Sequence, residues 1–244
     1  MNDYDASTYG DGVADVYDDW YPGGDPEPIV HRLSGLAEDG PALELGIGTG
    51  RIAIPLAAAG VTVHGIDASK AMVARLRSKA AASGIPVTIG DFTSFELEHR
   101  FSLVYVVFNT FFSLLEQEDQ VCCFQTVADH LRPEGRFVLE CFVPDLGRFD
   151  RGQRFAVHAI DDEGIRVEAT LHDPVRQGVR SKIVSLTADG ARFYPLQARY
   201  CWPSELDLMA RLAGLELEQR WGGWSEEPFT AASVNHVSVY RKPG

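Results

Sequence analysis

The sequence predicts an α/β fold, a mostly parallel sheet covered by helices on both faces and carrying an antiparallel β insertion. Three observations predict it. The apolar run Ala42-Leu43-Glu44-Leu45 enters Gly46, Gly48 and Gly50, and a second run from Val61 stops at Asp67. From Pro41 to Phe142, apolar runs alternate with segments of helical period. After Asp145 the period changes to two, with turn residues between the runs.

The elements follow in chain order. Tyr4, Tyr9, Tyr17, Trp20 and Tyr21 crowd a stretch rich in Asp and Gly, which Pro22-Gly23-Gly24-Asp25-Pro26 ends. A helix is expected from Glu27 to Ala37, with Ile29, Val30, Leu33 and Leu36 on one face. The first strand, a helix from Arg51 to Ala59 closed by Gly60, and the strand ending at Asp67 form a βαβ unit. A later helix begins near Gln117, where Glu118 and Asp119 suit its positive end, and Phe124, Val127 and Leu131 face inward. Four alternating runs (Arg154–Ala159, Arg166–His172, Val179–Leu186, Ala191–Trp202) read as an antiparallel meander. Pro203-Ser204-Glu205-Leu206 opens a further helix, Gly214 closes it, and Leu215–Trp221 and Ser233–Arg241 read as a final antiparallel pair. The expected organisation is an N-terminal helical lid (1–38), a cofactor-binding core (39–145), the β insertion (146–202) and a C-terminal helix with two strands completing the core (203–244).

The glycine turn carries the chemistry. Glycine lets the backbone turn tightly and approach a ligand, because no Cβ intervenes. A carboxylate at the tip of the second strand is placed to accept both hydroxyls of a ribose, which marks a nucleoside-cofactor site at Asp67. A dinucleotide fingerprint needs its third glycine where this chain has Arg51, which argues against a nicotinamide-dependent oxidoreductase.

Glu44-x-Gly46-x-Gly48-x-Gly50 resembles the first motif of class I S-adenosylmethionine-dependent methyltransferases. Asp67-Ala68-Ser69-Lys70-Ala71-Met72 resembles the second motif, Gly90-Asp91-Phe92 the third, and Val106-Val107-Phe108-Asn109-Thr110-Phe111 the fourth. Leu131-Arg132-Pro133-Glu134-Gly135 resembles the turn before the fifth strand. Glu134 replaces a glycine there, an exchange expected to keep a turn-compatible residue. The resemblance implies a Rossmann-like class I methyltransferase fold, with seven strands, an antiparallel last strand and the meander inserted after the fifth. It implies S-adenosyl-L-methionine as cofactor, with Glu44 near the ammonium group, Asp91 facing the adenine amine, and Gly46, Gly48, Gly50, Asp67, Ala68, Met72, Phe92, Phe108 and Asn109 around the molecule. Tyr9, Tyr17-Asp18 and Tyr21 resemble the lid of small-molecule members, in which such residues touch cofactor and substrate; otherwise these tyrosines pack a solvent-facing helix on the body. The insertion, with Tyr200-Cys201-Trp202 and Trp221-Gly222-Gly223-Trp224, resembles N,N-dimethyltransferases of amino-sugar and natural-product biosynthesis.

Composition narrows the partners. The 244 residues carry a net charge of −13, and no Lys/Arg cluster is present, so nucleic acid and anionic membranes are not expected partners. The first residues are acidic and polar, unlike a secretory signal. Cys122, Cys123, Cys141 and Cys201 form no Cys-x-x-Cys pair and no metal set, which fits buried thiols in the cytoplasm and no bound metal. The expected acceptor is a small-molecule amine, with Tyr21, Phe112, Phe142, Glu168, Tyr200 and Trp224 around it. An aromatic or sugar hydroxyl is the alternative acceptor, and a non-catalytic cofactor-binding protein is the alternative from another class. Spacing marks no catalytic base; Tyr17, Tyr21, His158, Glu168 and His172 are candidates by location. The alternation of the insertion, together with the resemblance, implies a homodimer through the meander.

Overall fold

The computed structural model describes residues 4–244. Two short helices, α1 (Thr8–Val13) and α2 (Tyr17–Trp20), precede α3 (Glu27–Ala37), β1 (Ala42–Leu45), α4 (Ala53–Ala58), β2 (Val63–Asp67), α5 (Lys70–Ser78) and β3 (Val87–Ile89). Then follow β4 (Phe101–Val106), α6 (Gln117–His130), β5 (Leu131–Phe142), the insertion β6 (Gln153–Ile160), β7 (Gly164–Asp173), β8 (Gly178–Thr187) and β9 (Gly190–Arg199), and finally α7 (Pro203–Leu212), β10 (Glu216–Trp221) and β11 (Asn235–Arg241).

Seven strands form one sheet in the order β3-β2-β1-β4-β5-β11-β10, and β11 alone runs opposite to the other six. This is the expected mixed sheet with an antiparallel last strand. All four residues of β1 are buried, because helices cover both faces. On one face, Ile29, Leu33 and Leu56 pack with Ala42 and Leu103; on the other, Phe124, Val127, Leu206 and Met209 pack with Leu43 and Val104. Phe124 anchors the second layer, edge-on to Phe111 at 5.5 Å and to Phe137 at 5.1 Å between ring centroids. Truncating it to Ala would cost roughly 3–5 kcal/mol.

Two local readings change. The helix after the glycine turn starts at Ala53 rather than Arg51, because Gly50 at φ +81° turns the chain before the helix can begin. Arg132–Gly135 form a bulge inside β5, where Phe101 pairs with Leu131 and Leu103 with Arg136. Glu134 takes φ +65° within it, a conformation that favours glycine, so its exchange for glycine is not free of strain. Its N–H bonds the Lys242 carbonyl, and Arg241 pairs with its carboxylate at 2.6 Å.

The insertion is a separate four-stranded antiparallel sheet, β6-β7-β8-β9. A buried polar network ties it to the body. Arg199 at the end of β9 donates to Gln120 of α6 and to Glu205 of α7 at 2.7 Å, and Gln177 donates to the Tyr200 carbonyl. Burying a guanidinium is tolerated only with such partners. Among the described residues, no helix is long and apolar enough to cross a membrane.

Candidate active site

A cavity of about 770 Å³ opens at the C-terminal ends of β1, β2, β4 and β5, where an open α/β sheet places its ligands. Its wall combines the glycine turn, the ends of those strands, the N-terminal tyrosines and the inner face of the meander.

The glycine turn explains itself by geometry. Gly46, Gly48 and Gly50 have φ of +71°, +55° and +81°, so each position favours glycine. The amides of Gly46 and Ile47 donate to the Ile66 carbonyl, locking the turn to β2. A Cβ on Gly46 would lie 2.5 Å from Thr110, and one on Gly50 would lie 2.2 Å from Leu76. A Cβ on Gly48 would meet nothing closer than the Gly46 carbonyl oxygen at 3.9 Å, and Gly48 lines the cavity, so the space beside it opens into the cavity.

Asp67, at the tip of β2, accepts the Gly48 amide at 2.7 Å and the Ser69 amide at 2.8 Å. Each oxygen keeps a lone pair for a ligand hydroxyl. Burial pushes this carboxyl up, and the two amides partly offset it. Ser69 caps α5 by accepting the Met72 amide at 3.1 Å, which fixes Ala68 and Met72 in the wall. Asp91 and Phe92 enter the wall after β3.

The tip of β4 is strained. Phe108 and Asn109 lie consecutively at φ +55° and +65°, uncommon for non-glycine residues. Glu140 of β5 accepts the Phe108 amide at 2.9 Å, and Asn109 Oδ1 accepts the Phe142 amide at 2.6 Å. The Arg51 guanidinium lies 3.5 Å from the centroid of the Phe108 ring, a stacked cation–π contact, and its Nε is buried without a partner. Burial raises the Glu140 carboxyl, opposed by its bond to Phe108.

The N-terminal helices close one side. Asp11 accepts the Ser69 hydroxyl at 2.6 Å, Asp18 accepts the Thr49 hydroxyl at 2.6 Å, and Lys79 pairs with Asp18 at 2.9 Å. Trp20 packs edge-on against Tyr194 of β9 at 4.7 Å, and Tyr4 Oη accepts the Gln197 amide at 3.1 Å. The N-terminal segment therefore bridges the sheet and the meander. Tyr9 and Tyr21 meet at 3.5 Å through their hydroxyls, and burial raises the Tyr9 and Tyr17 phenols.

Of the residues expected at the cofactor, Tyr9, Tyr17, Gly46, Gly48, Asp67, Ala68, Met72, Asp91, Phe92, Phe108 and Asn109 line the cavity. Glu44 and Gly50 do not. Glu44 lies buried beneath the turn and accepts the Tyr105 hydroxyl at 3.0 Å, and Gly50 is held to glycine by Leu76 and Ile54. On the acceptor side, Tyr21, Phe112, Phe142, Glu168 and Tyr200 line it, and Trp224 does not. Trp224 packs against the layer containing Trp221, with its indole Nε1 buried beside Glu140 but short of hydrogen-bond geometry. His158 and His172 lie behind the wall: His158 bonds Glu168, and His172 bonds the Tyr200 hydroxyl at 2.9 Å and stacks on Phe149. Arg51, Glu140, Asp145, Arg148 and Phe149 also line the cavity without having been read as site residues. Arg51 and Glu140 had a signal, since one follows the glycine turn and the other lies near the end of β5; the other three sit in a linker with no motif.

The cradle at Gly48, the free lone pairs of Asp67 and the unpartnered Arg51 Nε fit a nucleoside-bearing amino acid such as S-adenosylmethionine. A family profile described as Methyltransferase domain matches residues 42–135. The chain is 31% identical over 201 residues to the cypemycin N-terminal methyltransferase of a Streptomyces species, covering 82% of each chain. It superposes on the CcbJ methyltransferase of Streptomyces caelestis with a TM-score of 0.93 and 39% identity, over 99% of this chain and 100% of that one. CalS10 of Micromonospora echinaspora, an S-adenosylmethionine-bound amino pentose methyltransferase of calicheamicin biosynthesis, shares the fold at TM-score 0.70 and 22% identity, covering 91% of each chain. This chain belongs to the class I S-adenosylmethionine-dependent methyltransferases, among those of natural-product type.

Proposed function

We propose that the protein transfers a methyl group from S-adenosylmethionine to the nitrogen of a small-molecule amine of secondary metabolism. One observation carries the reading: a single cavity runs from the glycine turn and Asp67 to the meander, so cofactor and acceptor share one enclosed space. The similarity to an N-terminal methyltransferase supports nitrogen over oxygen as the acceptor atom.

When bound, the cofactor supplies a methyl group on a sulfonium cation. Asp67 holds the ribose, Asp91 and Phe92 frame the adenine, and Tyr9 and Tyr17 close over it from the N-terminal segment. Glu44 lies beneath the turn, outside the cavity, and braces the loop through its bond from Tyr105. Tyr21, Phe112, Phe142 and Tyr200 exclude water around the acceptor, which strengthens every charge–charge contact inside. Alignment of the acceptor nitrogen opposite the sulfur supplies much of the acceleration. The chain is read as lid (1–38), core (39–145), roof (146–202) and closing segment (203–244).

The outer face of the meander supports a homodimer. Phe155, Val157, Leu171 and Phe193 share that face and are 67%, 54%, 49% and 62% exposed. Such an apolar patch is unusual on a monomer, and a second copy offers the same face in return. Four free cysteines, three of them buried, suit a reducing cytoplasm.

The test is turnover with S-adenosylmethionine and paired acceptors: an alanyl tripeptide, glucosamine, piperidine, and phenol and glucose as hydroxyl counterparts. Methylation of amines with the hydroxyl compounds untouched is expected. Methylation confined to hydroxyls would overturn the reading.

A further inference from the structure

We propose that Glu168 on the roof of the cavity is the anchor for a positively charged, phosphate-free amine, and so defines the acceptor class. The proposal rests on the N-methylation reading above. Glu168 projects from β7 into the cavity wall, with its side chain 13% exposed. Its two oxygens are not equivalent. Oε2 is occupied: His158 Nε2 lies at 2.9 Å and Arg154 Nη1 at 3.9 Å. Oε1 accepts the Thr170 hydroxyl at 3.3 Å, with the Ser181 hydroxyl beside it, and keeps a lone pair for an incoming N–H donor.

A defect in the strand pairing builds this arrangement. Val157 pairs with Val167 and Ala159 with Arg166, so His158 is the extra residue of a β-bulge. Bulges re-aim a side chain, and this one sets the imidazole on Glu168. On the neighbouring strand Ser181 pairs with Thr170, their hydroxyls 2.8 Å apart, so the carboxylate rests on a polar floor in an otherwise apolar roof of Val179, Leu196 and Ala198. Burial raises the Glu168 carboxyl, yet the Ser181 and Thr170 hydroxyls and the His158 imidazole beside it outweigh burial and keep the group below the usual carboxylate range. It stays ionised, as an ammonium anchor must.

The surrounding charges select further. Asp145 and Asp5 line the cavity with Glu168; of the two guanidiniums in its wall, Arg51 is stacked on Phe108 and Arg148 lies among Arg154, Glu168 and Asp145. A dianionic phosphate would meet three carboxylates; a cationic amine with an apolar body meets a carboxylate and the rings of Phe142, Phe149 and Tyr200. The anchored nitrogen loses one proton to water before attack. Its lone pair then forms the N–C bond as the C–S bond breaks, and the bonding pair stays on sulfur.

The experiment compares wild type, Glu168→Gln and Glu168→Asp, each saturated with S-adenosylhomocysteine. Glucosamine, its phosphate ester and an alanyl tripeptide are titrated by calorimetry, and KM and kcat are measured for the amine that turns over. Glu168→Gln should bind the amine at least about tenfold more weakly through KM, with kcat less affected and affinity for S-adenosylhomocysteine unchanged. Glu168→Asp should recover part of the loss. The phosphate ester should bind more weakly than glucosamine. Equal amine affinity in wild type and Glu168→Gln, with amines still methylated, would overturn the anchor alone, as would preference for the phosphate ester. Methylation of hydroxyls only would overturn both this proposal and the reading beneath it.

Discussion

Replacing Glu44 by Gln should stabilise the ligand-free protein near neutral and alkaline pH. Glu44 is 3% exposed and accepts the Tyr105 hydroxyl at 3.0 Å. Burial pushes its carboxyl up to about 8, the bond from Tyr105 opposes this, and the charge of Asp67 adds to it. Unfolded, the same group titrates near 4.5. The folded value is the higher one, so folding takes up a proton between the two. The stability is therefore complete below about pH 4.5 and is lost as pH rises through about 8. At about 1.4 kcal/mol per pH unit the ceiling is near 5 kcal/mol, and relaxation of the site leaves a few kcal/mol. Gln keeps the shape and the acceptor oxygen for Tyr105, and it never ionises. Urea unfolding between about pH 5 and about pH 8 measures the difference. Wild type should lose stability across this window, and the variant should lose less than half as much. Some slope will remain, because burial also raises Asp67 and Glu140. Parallel curves for the two proteins would refute the assignment of a buried, protonated Glu44.

Asp67→Ala should weaken S-adenosylmethionine binding at least about tenfold by calorimetry, since a hydrogen bond to a charged group is worth roughly 1.5–3 kcal/mol; unchanged affinity would remove Asp67 from the ribose. Limited proteolysis should cut before Glu27 and slow in S-adenosylhomocysteine, because the lid is held by a few side chains such as Asp11 and Asp18; equal rates with and without ligand would count against a lid. Sedimentation at micromolar concentration should give a dimer that Phe193→Glu dissociates without loss of cofactor binding, and a monomeric wild type would show that the meander serves only as a roof.

Much of this was legible in the sequence because periodicity and glycine conformation are local properties. The apolar runs placed β1, β2, α6 and the four meander strands within a few residues, and three left-handed turns in a row admit little but glycine. What stayed hidden is which side of the backbone each motif residue faces. Glu44 and Gly50 belong to the motif, yet one is buried under the turn and the other packs on Leu76, and no spacing separates these from Gly48. Asp145, Arg148 and Phe149 reach the cavity from a linker whose path depends on where the meander docks. That docking is set by Arg199 and Glu205 meeting Gln120, which lies 79 residues before Arg199 in the sequence. The alternation of β7 did divide its faces correctly. Glu168 and Thr170 face inward, and Leu171 faces outward at 49% exposure.

Methyl-labelled S-adenosylmethionine tests the central claim most directly. After incubation with the wild-type enzyme and the amine panel, the product is isolated and the labelled carbon located by nuclear magnetic resonance. Attachment to nitrogen, with one S-adenosylhomocysteine formed per methyl transferred, is the predicted result. Label found on oxygen alone, or cofactor bound without transfer to any amine, would contradict the account.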